Sequence, residues 1–253
     1  MAITGQSCLR TPFEPFGGTV TFIEPNDSQA LTLAAEDGFC AIVLEPVLGE
    51  GGIYPLSSAF LRLARALTTA CGALLIADET QCGLGRTGKH FAFQWAGIQP
   101  DIVTTAKPLG AGLPIGATMF TEAAAECLPV HSHGSTFGGG PLACRVALEF
   151  LAILDDLLLQ MLITAGRIRA GLDALRQKHP VITEVRSSGM MFGLQLARPG
   201  HPIVLEALRR GLLINCTQNT VIRLLPPFII SSAEADTLTQ ILDQSFEACA
   251  LLD

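Results

Sequence analysis

Charged residues are scarce in this sequence, and no part of it is strongly basic. Of its 253 residues only 15% are charged, 49% are hydrophobic, and the formal net charge is -7. Nucleic acids and anionic membranes both require a basic face on a protein, so this composition argues against either as a main partner. A chain of this length and apolarity can bury a sizeable core. The composition therefore favours a metabolic protein that acts on small molecules.

Cysteine pairs with metal-binding or redox spacing are also missing. The eight cysteines are scattered, none forms a C-x-x-C pair, and none clusters with histidine. Zinc sites and disulfide frameworks depend on such spacings, so the pattern favours reduced, mostly buried thiols of the cytosolic type. His131 and His133 have no carboxylate or cysteine cluster near them in the sequence, and we predict no metal site.

Long apolar runs are absent as well. The first residues, MAITGQSCLRTPFEP, contain no apolar core of a signal peptide, and no later stretch reaches a membrane-spanning length without polar interruption. We therefore predict a soluble cytoplasmic protein with no membrane partner.

The first part of the chain alternates apolar runs of strand length with amphipathic segments of helix length. Strands that are apolar throughout are typical of a sheet covered on both faces, so the pattern predicts an α/β domain over residues 1–156. The predicted strands are Ala41–Leu44, Ala73–Ala77, Ile102–Thr105 and Ala117–Phe120, and the predicted helices are Ser57–Thr69 and Pro141–Leu154.

The pattern changes after about Asp156, where we predict a smaller α+β domain over residues 157–253. Ser231 and Glu234 have the spacing of a capping box that opens a final helix. The predicted helices are Leu159–Lys178 and Pro202–Arg210, and the predicted strands are Ile182–Ser187, Met191–Leu196, one near Leu212–Asn215, and Val221–Leu224.

Three polar segments follow predicted strands in the first domain. Asp78 lies in LLIADETQCGLGRTG, Lys107 in PDIVTTAKPLGAGLPIGA, and the third segment is HGSTFGGGPLA. Ligands of such sheets bind beyond the strand ends. An acid, a lysine and a hydroxyl-rich glycine loop are the parts that hold pyridoxal phosphate (PLP), because the lysine forms a Schiff base with its aldehyde and the acid keeps its pyridine nitrogen protonated. Taken singly, each has an ordinary role as a loop lysine, a capping acid or turn residues.

These segments resemble a known family, the class III aminotransferases of the ornithine and acetylornithine type, which have PLP fold type I. AIVLEPVLGEGGIYP, VRSSGMMFGLQL and TVIRLLPPFIIS resemble further family blocks, so the resemblance runs from about Thr4 to the C-terminus. It implies a partial PLP-binding large domain followed by a small C-terminal domain. It also implies transfer of an amino group from N-acetylornithine or ornithine to 2-oxoglutarate, in arginine biosynthesis, by a homodimer with a shared active site.

The resemblance assigns the cofactor residues individually. Lys107 matches the Schiff-base lysine that then carries a proton between substrate and cofactor, and Asp78 matches the partner of the pyridine nitrogen. Gln81 is expected beside the ring hydroxyl, and the backbone of Glu79 and Thr80 along the cofactor. Thr136 is expected to bind the phosphate of the cofactor in the neighbouring subunit.

The substrate residues follow from the same resemblance. Ser135 is expected at the substrate, and Glu45 lies in the EPVLGEGG block that lines the substrate pocket. Glu50 and Arg223 match an ion pair that helps the pocket to switch between amino donor and dicarboxylate acceptor. Without the resemblance, the two glutamates would be interpreted as rim charges and Arg223 as a strand-end arginine.

Several family features are replaced or not found in this sequence. Pro108 and Gly140 stand where the family usually has Gly and Asn, and Thr80 and Cys82 replace an apolar residue and Thr. Pro108 should bias the preceding Lys107 toward extended backbone angles. A Gly-Thr phosphate loop, a ring-stacking aromatic and a carboxylate-binding arginine normally precede the block at Thr4. The chain thus resembles the C-terminal two-thirds of an aminotransferase.

Two hypotheses of different class stand, a PLP-dependent aminotransferase and a non-catalytic remnant that keeps the fold and a dimer surface. Within the enzyme class, an aminomutase or decarboxylase of the same fold is a further alternative.

Overall fold

The chain folds around two four-stranded sheets, which the computed structural model describes over residues 2–250. The strands are β1 (Ala41–Leu44), β2 (Val47–Leu48), β3 (Tyr54–Pro55), β4 (Leu74–Asp78), β5 (Ile102–Thr105), β6 (Ala117–Phe120), β7 (Ile182–Ser188), β8 (Met191–Leu196), β9 (Asn215–Thr217) and β10 (Val221–Leu224). The helices are α1 (Ser7–Arg10), α2 (Ser28–Glu36), α3 (Ser58–Cys71), α4 (Glu122–Glu126), α5 (Pro141–Lys178), α6 (His201–Arg209) and α7 (Ser232–Ala250). Short 3-10 helices lie at Thr11–Phe13, Ala92–Trp95 and Lys107–Gly110.

The first sheet is mostly parallel, as the apolar strands predicted. Its order is β1-β4-β5-β6; β4 runs parallel to β1 and β5, and β6 is an antiparallel edge strand. Asp78, the last residue of β4, is in register with Thr104 on β5. The two strands therefore end side by side, and the residues that follow them emerge at one edge of the sheet.

Helix α3 packs on one face of the first sheet. The Ser57 side chain caps its start by accepting a hydrogen bond from the Phe60 N–H at 3.1 Å, and Gly72 ends it in the left-handed conformation. The predicted helix ended at Thr69, whereas the observed one continues to Cys71. Its buried side chains are Phe60, Leu61, Ala64 and Thr68.

The opposite face of the first sheet is less covered. Val43, Ile76, Ile102 and Phe120 lie in one cross-strand row on this face. Val43 and Phe120 keep 43% and 41% of their surface exposed. The same face carries Asp78, two residues beyond Ile76, so the candidate acid lies on the open side of the sheet.

Helix α5 is one continuous helix of 38 residues, which corrects the prediction of two helices. Asp155 and Asp156 interrupt the apolar sequence, but both are exposed and the buried stripe continues past them through Leu154 and Met161. With no glycine or proline between these positions, nothing breaks the helical hydrogen bonds. Residue 156 falls inside α5, and the division into residues 1–156 and 157–253 stays a prediction.

The second sheet is antiparallel in the order β7-β8-β10-β9. Its core includes Ile168 of α5, Ile203 of α6 and Leu242 of α7. The predicted capping box is confirmed, because the Ser231 N–H donates to Glu234 Oε2 at 2.8 Å and the Glu234 N–H to Ser231 Oγ at 3.2 Å. Strand β9 begins at Asn215, three residues after the start of the strand predicted near Leu212–Asn215. Within residues 2–250, no helix combines the length and apolarity needed to cross a membrane.

The turn between β7 and β8 presses against the loop after β4. Gly189 has a positive φ of 54°, and a Cβ atom there would lie 2.6 Å from the carbonyl oxygen of Arg86 and from backbone atoms of Thr87. The Met190 N–H donates to the Arg86 carbonyl at 2.9 Å. The two sheets therefore meet through backbone contact that only glycine permits.

We predict that Gly189→Ala is much more destabilising than Gly97→Ala. Gly97 also has a positive φ, 68°, but no atom lies within 4 Å of the position of its Cβ. The control should cost only the left-handed strain of about 1–2 kcal/mol, whereas Gly189→Ala adds a backbone clash worth a further ~1–3 kcal/mol. Urea unfolding measures the free energy of unfolding of both variants. Equal losses of this free energy would show that the contact between Gly189 and the backbone of Arg86 and Thr87 can shift without cost.

Candidate active site

Asp78 is held at the end of β4 by two donors on one of its oxygens. Its Oδ1 accepts hydrogen bonds from the Thr80 N–H at 3.0 Å and from the Thr104 hydroxyl at 2.9 Å. The first bond closes a short turn after the strand, and the second crosses from the neighbouring strand, where Thr104 is in register. Among the described residues no donor reaches Oδ2, so one carboxylate oxygen is available to a ligand.

Lys107 opens the turn that follows β5. Its φ is 42°, in the left-handed region that non-glycine residues rarely adopt. The extended backbone expected from Pro108 is therefore wrong, because the chain reverses at once into the 3-10 helix Lys107–Gly110. The residue is exposed, and none of the hydrogen bonds or ion pairs among residues 2–250 involves its amine. Partial burial lowers the pKa of Lys107, Arg223 acts in the same direction, and nearby carboxylates including Glu50 oppose it.

Glu50 and Arg223 form the ion pair that the resemblance implied. Arg223 Nη1 lies 2.6 Å from Glu50 Oε1, and Gln81 Nε2 donates to the same oxygen at 3.2 Å. Burial alone would raise the pKa of Glu50, but the hydrogen bonds from Arg223 and Gln81 outweigh it and the pKa is lowered. The Arg223 Nε donates to Asn215 Oδ1 at 3.2 Å, which fixes the guanidinium from the other side.

Glu45 lies beside the same group of charges. Its Oε2 accepts a hydrogen bond from the Gly49 N–H at 3.0 Å. Burial raises the pKa of Glu45; that hydrogen bond opposes the rise, and the negative charge of Asp78 adds to it. A Cβ atom on Gly49 would fall 2.1 Å from Gln81 Oε1, so the glycine leaves room for the amide that contacts Glu50.

The structure thus brings together most of the predicted site residues between the edge of the first sheet and β10 of the second. The charges of Glu45, Glu50, Asp78 and Arg223 all act on Lys107. The arrangement offers a nucleophilic amine, a carboxylate that can hold a cationic nitrogen, and a guanidinium fork that can bind a carboxylate. No group of metal-ligating side chains occurs in the described part of the chain.

Glu79 has a different task from the one suggested by its place in the sequence. Its side chain is buried, with 1% exposed, and accepts hydrogen bonds from the Ala92 N–H at 3.0 Å and the Phe93 N–H at 2.9 Å. The Cys82 thiol lies 3.3 Å from the same carboxylate. Burial raises the pKa of Glu79, and the two amide donors oppose the rise. The carboxylate therefore anchors the loop after Asp78, and the contact of the Glu79 and Thr80 backbone with a cofactor stays a prediction.

Ser135 and Thr136 are not joined to this group within one chain. Both are exposed, in a stretch from 128 to 139 that is exposed throughout. No hydrogen bond or ion pair of the described residues connects either of them with Asp78 or Lys107. The expected places of Ser135 at the substrate and of Thr136 at the cofactor phosphate of a neighbouring subunit stay predictions.

Thr104 and Asn215 were missed from the sequence. Thr104 lies in register with Asp78, and Asn215 with Arg223, so each contacts its partner across a strand pair. The order of residues along the chain does not show such pairing. Once the strands are aligned, however, a polar side chain opposite a functional one is a usable signal.

The fold and site define a class of α/β proteins that place a lysine amine and a carboxylate at neighbouring strand ends. The sequence matches the family described as class-III aminotransferase over residues 1–246. The chain therefore belongs to the class III aminotransferase family, which confirms the resemblance drawn from the motifs.

Individual relatives support the same assignment. The chain is 43% identical to the acetylornithine aminotransferase of Mycobacterium tuberculosis, over 98% of this chain and 63% of that protein. It is 42% identical to that of Methanocaldococcus jannaschii, over 97% of this chain and 62% of that protein. The chain thus spans less than two thirds of the length of these relatives.

Solved structures share the fold. The ornithine aminotransferase of Toxoplasma gondii, in which PLP partly occupies the active site, superimposes with a TM-score of 0.92 at 33% identity, over 98% of this chain and 60% of that one. The N-acetylornithine aminotransferase of Stenotrophomonas maltophilia gives 0.84 at 33% identity, over 92% of this chain and 63% of that one. These neighbours confirm the predicted PLP fold type I.

We predict that Thr104→Val destabilises the chain while Thr105→Val does not. Valine keeps the shape of threonine, but at residue 104 it removes a donor to the Asp78 carboxylate, at a cost of about 1.5–3 kcal/mol for a bond to a charged group. The Thr105 hydroxyl is buried and has no hydrogen-bond partner among residues 2–250, so valine there should be neutral or stabilising. Urea unfolding at neutral pH measures both variants. Equal effects would mean that the Thr104–Asp78 bond contributes nothing to the fold.

Proposed function

We propose that the chain is a PLP-dependent aminotransferase subunit that transfers an amino group from N-acetylornithine or ornithine to 2-oxoglutarate. The observation that carries the proposal is the placement of Asp78 and Lys107 at the ends of adjacent strands, facing the Glu50–Arg223 ion pair. The names of the similar proteins support the choice of donor.

The residues at the strand ends fit PLP. When bound, PLP supplies an aldehyde for an amine and a ring that accepts electron density from the substrate. Asp78 Oδ2, free of protein donors, would hold the proton at the ring nitrogen, with Oδ1 fixed by Thr80 and Thr104. Gln81 and the backbone of Glu79 would line the cofactor.

Lys107 is the base that the proposal requires. Of the three lysines in the chain, Lys178 is tied to Asp243 and Glu247, which raise its pKa, and Lys89 lies over the ring of Trp95 at 4.3 Å. Only Lys107 combines a lowered pKa with an amine free of hydrogen bonds among the described residues. A lowered pKa enlarges the neutral fraction of the amine, which can accept a proton from the substrate carbon and return it.

The Glu50–Arg223 pair would allow the pocket to bind two different substrates in turn. An arginine fork binds a carboxylate through two parallel hydrogen bonds, so Arg223 can take the distal carboxylate of 2-oxoglutarate when Glu50 moves away. Glu50 keeps 51% of its side chain exposed, which gives it room to move. With the amino donor bound, the closed pair would keep the Arg223 charge neutralised by Glu50, and Glu45 and Ser135 would complete the lining of the pocket.

The homodimer is part of the proposal. Thr136 and Ser135 would serve the site of the partner subunit, because within one chain they are exposed and contact none of the other candidate residues. Two apolar side chains in the same stretch, Val130 and Phe137, are 85% and 93% exposed, as expected of a surface that another protein covers. A cytoplasmic location stays a prediction.

We predict that PLP followed by borohydride labels Lys107 and neither of the other two lysines. The reason is that the reactive form of an amine is the neutral one, and the ion pairs of Lys178 hold it in the charged form. Peptide mapping by mass spectrometry identifies the labelled residue. Lys107→Ala should lose the label and Lys178→Ala keep it; the reverse result would remove Lys107 from the site.

We predict that Asp78→Asn lowers glutamate formation from 2-oxoglutarate by on the order of 100-fold, about 2.7 kcal/mol of transition-state stabilisation. The change keeps the shape of the side chain and deletes the charge that holds the ring proton. Asp37→Asn, at an exposed position after α2, is the matched control and should have no effect.

The same assay decides between an enzyme and a remnant. Glutamate formed by the unaltered chain from N-acetylornithine or ornithine, and abolished in Lys107→Ala, supports the aminotransferase. No glutamate above the Lys107→Ala background supports the remnant. Rearranged or decarboxylated amino acid in place of glutamate identifies the aminomutase or decarboxylase.

A further inference from the structure

Two arginines that do not belong to the site described above connect the part of the chain around the first sheet with the part around the second. One reaches from the first part to the second, and the other from the second to the first. Arg86, in the loop after β4, donates from Nη1 to the carbonyl of Pro226, beyond β10, at 2.6 Å. Its guanidinium lies 4.3 Å from the centre of the Phe228 ring. The Phe228 side chain packs against the core of the second sheet and against a buried cluster that includes Leu84 and Leu154, so Arg86 holds a segment that lies between these two cores.

Arg186 makes the corresponding contacts from the other side. It lies on β7 with 5% of its side chain exposed and donates from Nε to the carbonyl of Gly52, in the turn between β2 and β3, at 3.1 Å. Its guanidinium lies 4.1 Å from the centre of the Tyr54 ring. Each arginine thus binds one backbone carbonyl and one aromatic ring of the segment facing it.

The two carbonyls lie close in sequence to the substrate ion pair. Gly52 follows Glu50 by two residues, and Pro226 follows Arg223 by three. The Gly52 turn is pressed against the second sheet, since a Cβ on Gly193 would lie 2.9 Å from the Gly52 carbonyl oxygen. Arg186, on the second sheet, therefore fixes the backbone near Glu50. Arg86, in the loop after β4, fixes the backbone near Arg223.

Arginine suits this pair of contacts better than lysine does. Its planar fork donates to the carbonyl while its flat face rests on the ring, whereas a lysine ammonium is a point charge without such a face. Burial lowers the pKa of Arg86 to about 10, so this contact is maintained against a cost of desolvation. Among its described contacts, carbonyls and a ring take the place of a carboxylate.

We propose that Arg86 and Arg186 are positioning residues for the substrate pocket, which hold the backbone beside Glu50 and Arg223 at a fixed separation. The ion pair then opens and closes by movement of side chains alone when donor and acceptor exchange. The reference to donor and acceptor rests on the proposed function; the positioning of the pair does not.

The test is the titration of the Glu50 carboxyl, followed by NMR of protein with carbon-13 in its glutamate carboxyls and identified by its loss in Glu50→Gln. The bonds from Arg223 and Gln81 lower this pKa, so Arg223→Met gives the upward shift of a broken pair. We expect Arg86→Met and Arg186→Met each to give at least half of that shift. Arg167→Met, which breaks an exposed ion pair with Asp236 between α5 and α7, is the control and should give none.

The lysine variants guard against a general loss of structure. Arg86→Lys and Arg186→Lys keep the charge and one donor but lose the stacked fork, so folded protein should show an intermediate shift of the Glu50 pKa. If the methionine variants do not fold, the lysine variants decide alone. An unchanged Glu50 pKa in folded variants at both positions would overturn the proposal.

The result is independent of catalysis. A shifted Glu50 pKa in a chain that forms no glutamate would support the positioning role and count against the proposed function. Glutamate formation together with an unchanged pKa would do the reverse. If the chain turns over, the variants should raise the KM for 2-oxoglutarate more than they lower kcat, because Asp78 and Lys107 are not displaced.

Discussion

The parallel pairing of β4 with β5 is the constraint on which the site depends. It aligns Asp78 with Thr104 and ends both strands at one edge, so the acid and the following lysine emerge side by side. The fixed register also supplies the hydroxyl that orients the carboxylate. A slip of one residue would turn Asp78 to the other face of the sheet and separate it from Lys107, whatever the residues of the loops were.

Electrostatic balance is the second requirement at that edge. The carboxylates of Glu45, Glu50 and Asp78 share the site with the cations of Lys107 and Arg223. Glu45 and Glu50 differ in burial and in hydrogen bonding, so their pKa values shift in opposite directions. Glu45 is drawn toward its neutral form, whereas Glu50 is kept ionised by Arg223 and Gln81. The lowered pKa of Lys107 shows that desolvation and Arg223 together outweigh the attraction of the acids. Under the proposed function, an amine with a lowered pKa thus lies beside charged groups that would bind the substrates.

Sequence patterns predicted what is local and missed what is paired across strands. Apolar runs located β1, β5, β6, β8 and β10 with their observed bounds, and the motif order selected Asp78, Glu50 and Arg223, whose charges act on Lys107 in the structure. Thr104 and Asn215 were not found, because their roles depend on cross-strand register. The break predicted near Asp156 was wrong because two exposed acids do not interrupt a helix whose buried stripe continues. The roles predicted for Ser135 and Thr136 stay predictions, because contacts within one chain do not test them.

The length of α5 has a mechanical consequence. Its 38 residues span about 57 Å at 1.5 Å per residue, and its buried side chains enter the cores beside both sheets. Loss of helical structure at either end would therefore remove apolar cover from one core. The helix thus belongs to both cores, and we expect the two parts of the chain to unfold together.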